Sequence, residues 1–576
     1  MSPESQPRDD IRVTLDDGRV FSAPMGSSLS PVIGEAYPSE GDPVVAVMSA
    51  GRLRELAEPL YGDLAIQPVR LSSSDGIRIY GRSLSFVLVV AAAQLFPDAT
   101  VRIEYSVPHG GLFCRSRGRS FSSGDLADLR QRMEELVASD LPICRLRSTR
   151  EEAMQRFRAQ GEESKVRTLA EREKDHFHFY ELEGVSDYFF GYMVPSTGIL
   201  KTFGLEAFAD GFVLRLPRRE DPTRLRPARR FTALREVFDE QGNWLELLGI
   251  RTVTSLNEAI HAGRMEQIIL VSEALHEKKI SEISEQIAHA CEDGARLVLI
   301  AGPSSSGKTT FSKRLAVQLL VHGLQPFPLG MDNYFLPRRL LVERQGRNLD
   351  FDALSALDVD LLRADLEALA AGERVTLPHF DFQSGERKVG RSVALGAKDV
   401  LLVEGIHGLN PALFPAEEGD RAFRIFVSAM TQLNLDDHNR VSTTDTRLIR
   451  RIVRDSTYRG YSAERTLQLW DNVRFGEKRN IFPYQEEADV MFNSALGYEL
   501  AVLRPLVEPL LYRAIRSEHR VEAERLLALL WWFDAHDGAS VPSNSILREF
   551  IGGSILREYT PKPLGGGPDD SKEVPA

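Results

Sequence analysis

The eight residues Gly302-Pro303-Ser304-Ser305-Ser306-Gly307-Lys308-Thr309 constrain this chain more than any other stretch, because they follow the spacing GxxxxGK[ST]. Backbone N–H groups can approach phosphate oxygens closely only where glycine at the turning positions removes the steric barrier. A helix beginning at the same place adds its partial positive charge. Lys308 can then reach the β- and γ-phosphates, and the Thr309 hydroxyl can bind Mg²⁺. The flanks agree: Arg296–Ala301 reads as a fully buried strand, and Gly307–His322 as a helix closed by Gly323. A glycine-rich turn with no nucleotide is the bland alternative, and this context disfavours it. Gly302 through Thr310 are therefore the nucleotide-binding candidates, with ATP and Mg²⁺ expected. No Asn-Lys pair occurs anywhere, so a GTPase with an NKxD base reader is excluded, whereas a motor ATPase is not.

What the phosphate is passed to must be read downstream. Asp332, in Pro328-Leu329-Gly330-Met331-Asp332-Asn333-Tyr334-Phe335, follows a short apolar stretch. In a parallel sheet that places it at the C-terminal edge, where ligands bind. A carboxylate there can accept the proton of an attacking hydroxyl, or it can simply cap the next segment. Arg447, Arg451 and Arg454 fall at i, i+4 and i+7 on one helix face that Thr444 can cap, and Arg459 follows. Such a row is either a solvated basic face or a lid that neutralises charge during transfer.

Asp350-Phe351-Asp352, Ala356-Leu357-Asp358, Pro378-His379-Phe380-Asp381-Phe382 and Leu402-Val403-Glu404-Gly405 complete an ordered set. Over roughly Leu297–Leu511 the chain resembles the uridine kinase and phosphoribulokinase family of P-loop kinases. The resemblance implies ATP·Mg²⁺ as phosphoryl donor and a nucleoside 5′-hydroxyl as acceptor. It also implies Asp332 as general base, Asp352 on the ribose, Phe380 beside the acceptor, Glu404 with Thr309 on Mg²⁺, and Lys308, Arg451, Arg454 and Arg459 in transfer. Three positions depart from the pattern: Phe380 and Gly385 stand where uridine kinases carry Tyr and His, and Tyr461 replaces the second arginine of RGR. Lost polar base contacts weaken the inference to uridine itself. A phosphoribulokinase-like sugar-phosphate kinase and an ATP-dependent RNA-binding or regulatory protein stay open as alternatives.

With 576 residues the chain needs several cores. The expected organisation is α/β, with a C-terminal P-loop kinase whose parallel sheet carries helices on both faces, preceded by a β-grasp-like domain and a small α/β domain. The expected boundaries are residues 1–75, 76–216, a linker and helical segment 217–290, the P-loop domain 291–515, a helical segment 516–560 and a disordered tail 561–576. The first unit resembles the TGS domain. The second resembles the editing-type domain of threonyl-tRNA synthetase, most clearly at Val194-Pro195-Ser196-Thr197-Gly198 with Phe203. That domain uses HxxxH plus a Cys and a His, and here Arg82, Phe86, Phe189 and Met193 stand at the matching positions, so editing is not expected. Arg215–Arg230, with seven arginines, reads as a solvated hinge or as a phosphate- or RNA-contacting strip.

Net charge of −12 argues against sequence-blind nucleic-acid binding by the whole molecule, leaving RNA contact to the N-terminal domains as an option. Three scattered cysteines indicate neither disulfides nor a cysteine-rich zinc site. The polar start and the short longest apolar run, Phe86–Phe96, lead to an expected cytoplasmic protein without membrane contact, of open oligomeric state.

Overall fold

The computed structural model describes residues 10–38, 41–108, 110–170, 175–227, 231–345, 353–381, 384–396, 398–413 and 422–562. Its C-terminal part is built on a parallel sheet of five strands, in the spatial order Gln325–Gly330, Asp399–Glu404, Leu297–Ala301, Ala422–Ser428, Val490–Asn493. These strands are almost unbroken apolar runs because both faces are covered. The pleat sorts them. Val298, Ile300, Val400 and Leu402 pack with Phe311, Leu315 and Leu319 of the helix Lys308–Val321 and with Ile280, Ile283 and Ile287 of the helix Met265–Glu292. Leu299, Leu401 and Val403 face the other way, onto Leu362, Leu366 and Leu369 of the helix Val359–Ala370.

The stretch read as linker and helical segment forms helices Thr232–Leu248, Val253–His261 and Met265–Glu292, the last two separated at Gly263 with φ +68°. Leu245, Val253 and Leu256 share the core of the parallel sheet. Beyond the sheet the chain continues as two helices, Glu499–Ala514 and Arg520–Leu530.

The first N-terminal unit is a five-stranded sheet, Val20–Pro24, Asp10–Leu15, Leu64–Arg70, Val44–Ser49, Arg52–Glu55, with its first and last chain-order neighbours at the centre pairing in parallel. The helix Ser30–Ala36 covers a core of Ile11, Val13, Leu29, Ile33 and Val47, a β-grasp arrangement. The second unit holds the helix Ser74–Leu95 against a four-stranded and a three-stranded antiparallel sheet. Only Leu84–Leu95 is legible as an apolar run. The helix starts ten residues earlier, where Ser73 caps the Gly76 N–H at 2.9 Å, and Ser83 and Ser85 are buried within it with their hydroxyls satisfied by carbonyls four residues earlier. Among the described residues this is the one helix long and apolar enough to cross a membrane, and it lies inside the second unit's core.

The arginine-rich stretch is described to residue 227 and is docked at its start, whereas Arg224 and Arg226 are exposed. Arg215 is buried and paired with Glu206 at 2.7 Å, while Glu220 holds Arg218, Arg219 and Lys478. The second unit is also joined to the loop between the strand Ala422–Ser428 and the helix Thr443–Tyr458. Ile103 N–H donates to Asp437 O at 2.8 Å, Asn434 Nδ2 to Ile103 O at 3.1 Å, and Phe190 N–H to Asn439 Oδ1 at 2.8 Å. Beneath them Asp187 takes both Lys165 and His438, all three buried.

Candidate functional site

The phosphate-binding loop leaves the central strand at Gly302, where a Cβ would collide with the Val427 carbonyl. At Gly307, φ +83°, a Cβ would stand 2.5 Å from Ile546 Cγ2. Ser305 takes the left-handed conformation at φ +59°, a cost that persists where surrounding structure imposes it. Ser305 and Ser306 are buried and their hydroxyls have no hydrogen-bond partner. Buried polar atoms left unpaired are costly, so hydroxyls facing a loop of this shape suit a ligand rich in acceptor oxygens. Lys308 is also buried and donates to the Pro303 carbonyl at 3.1 Å. Burial lowers its pKa, opposed by Glu404, Asp332 and Glu549.

Buried polar groups brace the loop from behind. Arg447 donates to Ser304 O at 3.0 Å and pairs with Glu477, whose Oε1 also accepts the Ser304 N–H at 3.1 Å. Arg450 binds Ser494 O at 2.8 Å and Glu499 at 2.5 Å. Neither arginine is free to close over a ligand, so Arg447 of the row read as a lid is a brace. Glu477 stays ionised because the Arg447 and Arg474 guanidiniums outweigh the penalty of its burial and lower its pKa. Arg450, Glu477 and Glu499 carry no motif of their own. Their only sequence signal is the density of arginines in Arg447–Arg454.

Arg451, Arg454 and Arg459 converge on one buried carboxylate, Asp455. Arg451 Nε lies 3.3 Å from it, Arg454 Nη2 2.8 Å and Arg459 Nε 3.6 Å. Arg451 Nη1 also donates to Ser304 Oγ at 2.7 Å, tying the arginine helix to the phosphate loop. The helix begins at Thr443 with Ser442 at its N-cap position, so Thr444 lies inside the first turn rather than capping it.

Across the recess, Glu404 ends its buried strand and accepts from Thr309 Oγ1 at 3.2 Å. Burial raises the Glu404 pKa to about 7; Lys308 opposes the rise, and Asp332 and Glu549 add to it. Asp332 sits in the short turn Met331–Tyr334 that follows the edge strand. Its carboxylate is accessible, yet the surrounding walls strip away enough water to raise its pKa, with Lys308, Arg459 and Arg454 opposing. Lys308, Thr309, Glu404 and Asp332 are thus brought together, with Arg454 and Arg459 within electrostatic reach. A hydroxyl and a carboxylate side by side beneath a phosphate loop fit Mg²⁺, a hard cation that takes oxygen ligands. Phe380 is placed differently. It is buried with Phe335, Leu336, Leu341 and Leu357, its ring 5.6 Å from that of Phe335. Asp352 lies outside the described residues.

In the N-terminal half, Arg82, Phe86, Phe189 and Met193, compared above with the editing cluster, lie close together. The rings of Phe86 and Phe189 are 5.4 Å apart, Met193 is buried beside them, and Arg82 Nη1 donates to Tyr192 O at 2.5 Å. His176 and His178 alternate on the strand His176–Leu182, both exposed. Among the described residues no group of three or more His, Cys, Asp and Glu is placed to hold a metal.

Residues 297–499 match the model of the Phosphoribulokinase / Uridine kinase family. This part of the chain is similar to that family over its parallel sheet and phosphate loop. The N-terminal region matches threonine–tRNA ligases: that of Marinobacter nauticus is 31% identical over 204 residues, covering 35% of this chain and 31% of the ligase. The ligase of Desulforamulus reducens is 27% identical over 203 residues, covering 35% and 32%. The chain therefore spans about a third of the length of the curated relatives it matches. Similar solved structures include a possible uridine kinase from Bacillus stearothermophilus, at 21% identity and TM-score 0.27, covering 38% of this chain and 98% of that one. A D-glycerate 3-kinase from Cryptococcus neoformans is similar at 13% identity and TM-score 0.27, covering 36% and 89%.

Proposed function

We propose that the family domain is an ATP·Mg²⁺-dependent phosphotransferase acting on an alcohol, with a nucleoside 5′-hydroxyl as acceptor. The observation that carries this reading is the meeting of a buried Lys308, the Thr309–Glu404 pair and the accessible Asp332 in one recess below two unpaired serine hydroxyls.

The backbone of Gly302–Thr310 cradles the phosphates, and Lys308 balances charge on the β- and γ-phosphates. Thr309 and Glu404 would hold Mg²⁺, which when bound would supply further neutralisation of the phosphate charge. Asp332 accepts the proton of the acceptor hydroxyl, its raised pKa making it a better base than an ordinary aspartate. Arg451, Arg454 and Arg459, gathered on Asp455, offset charge on the group in flight. Asp352 is the residue proposed for the ribose.

The buried Phe380 provides no polar contact to a base, so the sugar rather than the base is the recognised part of the acceptor. A pentose phosphate is the second reading on the same ground. ADP release from ATP·Mg²⁺ with a panel of nucleosides and pentose phosphates, with and without tRNA, tests it, using Lys308→Ala as the inactive control. Acceptor-dependent ADP with a phosphorylated nucleoside is the expected result. A pentose bisphosphate moves the assignment to the sugar-phosphate class. RNA-stimulated hydrolysis with no phosphorylated small molecule would reject the kinase reading.

A further inference from the structure

The C-terminal segment beyond residue 499 lies outside the family match, yet it reaches the phosphate loop. Glu549, in the short helix Arg548–Ile551, accepts the Thr310 backbone N–H at 3.2 Å and the Thr310 hydroxyl at 2.8 Å, both through Oε2. Thr310 is the third residue of the helix Lys308–Val321, so its amide is one of the first-turn donors with no partner inside the helix. First-turn amides after a GxxxxGK[ST] loop are the ones aimed at the α- and β-phosphates. A carboxylate at a helix N-terminus is held by the same forces that hold a phosphate.

We infer that Glu549 is an intrachain competitor for the nucleotide: it occupies phosphate-facing donors of Thr310, and its side chain must leave them when ATP binds. This inference rests on the nucleotide-site reading above and adds to it a device that sets affinity. The segment itself is anchored. Ile546, Leu547 and Phe550 are buried in the core that includes the parallel sheet, and Ser545 Oγ donates to Glu273 at 2.5 Å. Lys313 Nζ donates to the carbonyls of Leu556 and Arg557 at 2.7 and 2.6 Å. The moving part is therefore one side chain on a fixed support. Its charge also acts on both Lys308 and Glu404, so its departure changes the field at the two groups proposed to meet phosphate and metal.

The sign of the effect separates this role from the opposite one. If Glu549 helped to hold nucleotide, its removal would weaken binding; as a competitor, its removal strengthens binding. Calorimetric titration of the full chain with a non-hydrolysable ATP analogue and Mg²⁺ reads the difference. Glu549→Gln, which keeps the shape and drops the charge, is expected to bind about tenfold more tightly, since a like charge within a few ångströms of phosphate is removed. Glu549→Asp, too short to span to Thr310, is expected to tighten binding by less. It keeps the question answerable should the Gln variant not fold, as judged by circular dichroism. Wild-type binding with unchanged or weaker binding in the folded variants would overturn the competitor and leave the nucleotide site standing. No binding by well-folded wild type or variants would overturn both.

Discussion

The phosphate loop and the core of the synthetase-like unit handle buried polarity in opposite ways. In the first, polar atoms are left unpaired: Ser305 and Ser306 are buried with hydroxyls that have no hydrogen-bond partner, and Gly302 lets the loop pass against the Val427 carbonyl. In the second, Phe86, Phe189 and Met193 pack together in the core, and Arg82 donates a hydrogen bond to the Tyr192 carbonyl. Unsatisfied buried polarity suits a region meant to meet a ligand, whereas a region that serves the fold satisfies or removes it internally.

The sharpest way to break this contrast is to disarm the first region. Asp332→Asn should lower kcat by about 10²–10⁴-fold, the scale of a positioned base, while ATP affinity measured by calorimetry is retained. Near-normal turnover would remove Asp332 from the mechanism. Asp455→Asn comes next. It loosens three arginines at once, and kcat should fall by about ten- to a hundredfold with a smaller change in KM for the acceptor, the pattern of an interaction felt in the transition state. Equal loss in kcat and gain in KM would instead mark Asp455 as part of substrate binding.

The third effect is a pH dependence. With Glu404 raised to about 7, much of the free protein carries a proton there at neutral pH, and Mg²⁺ needs the ionised form. Affinity for Mg²⁺·ATP should therefore rise with pH, by about tenfold between pH 6 and 8, because deprotonation through pKa 7 no longer has to be driven by the ligand. Glu404→Gln should flatten that slope in calorimetry at several pH values; a slope that survives points to another group. The smallest effect on phosphoryl transfer belongs to the second region. Phe86→Ala should cost about 3–5 kcal/mol of stability in denaturant unfolding, as a large buried ring is removed. Turnover per folded molecule should stay within about twofold of wild type. A large loss of turnover in the folded fraction would mean this core is more than scaffold.

Local signals were legible, and long-range ones were not. Strand, loop and helix around Gly302–Thr309 could be read because glycine, lysine and hydroxyl needs fall within eight residues. The same holds for Glu404 and Asp332, each ending an apolar run at the ligand edge of the sheet. Arg447 reads as a lid residue by helical spacing alone, and only the buried Glu477, thirty residues on, turns it into a brace. Glu549 meets Thr310 across 239 residues with nothing in either neighbourhood to announce it. The first ten residues of the helix Ser74–Leu95 were hidden because their polar side chains find partners within the protein: Arg78 pairs with Asp75 and Glu522, Tyr80 donates to Thr202 O, and Ser83 to Ile79 O.

The seam between the second N-terminal unit and the loop at 434–439 has a mechanical result. Beads on a string drift apart when the string is cut; these two would not, since Asp187 is shared by a lysine from one bead and a histidine from the other. A protease nick within the arginine-rich stretch at 217–227 should leave both fragments co-eluting on size exclusion, and independent elution would show the seam to be weaker than its bonding. The loop so gripped leads into the helix bearing the arginines, so a tug on the synthetase-like half is felt at the side chains that brace the phosphate loop.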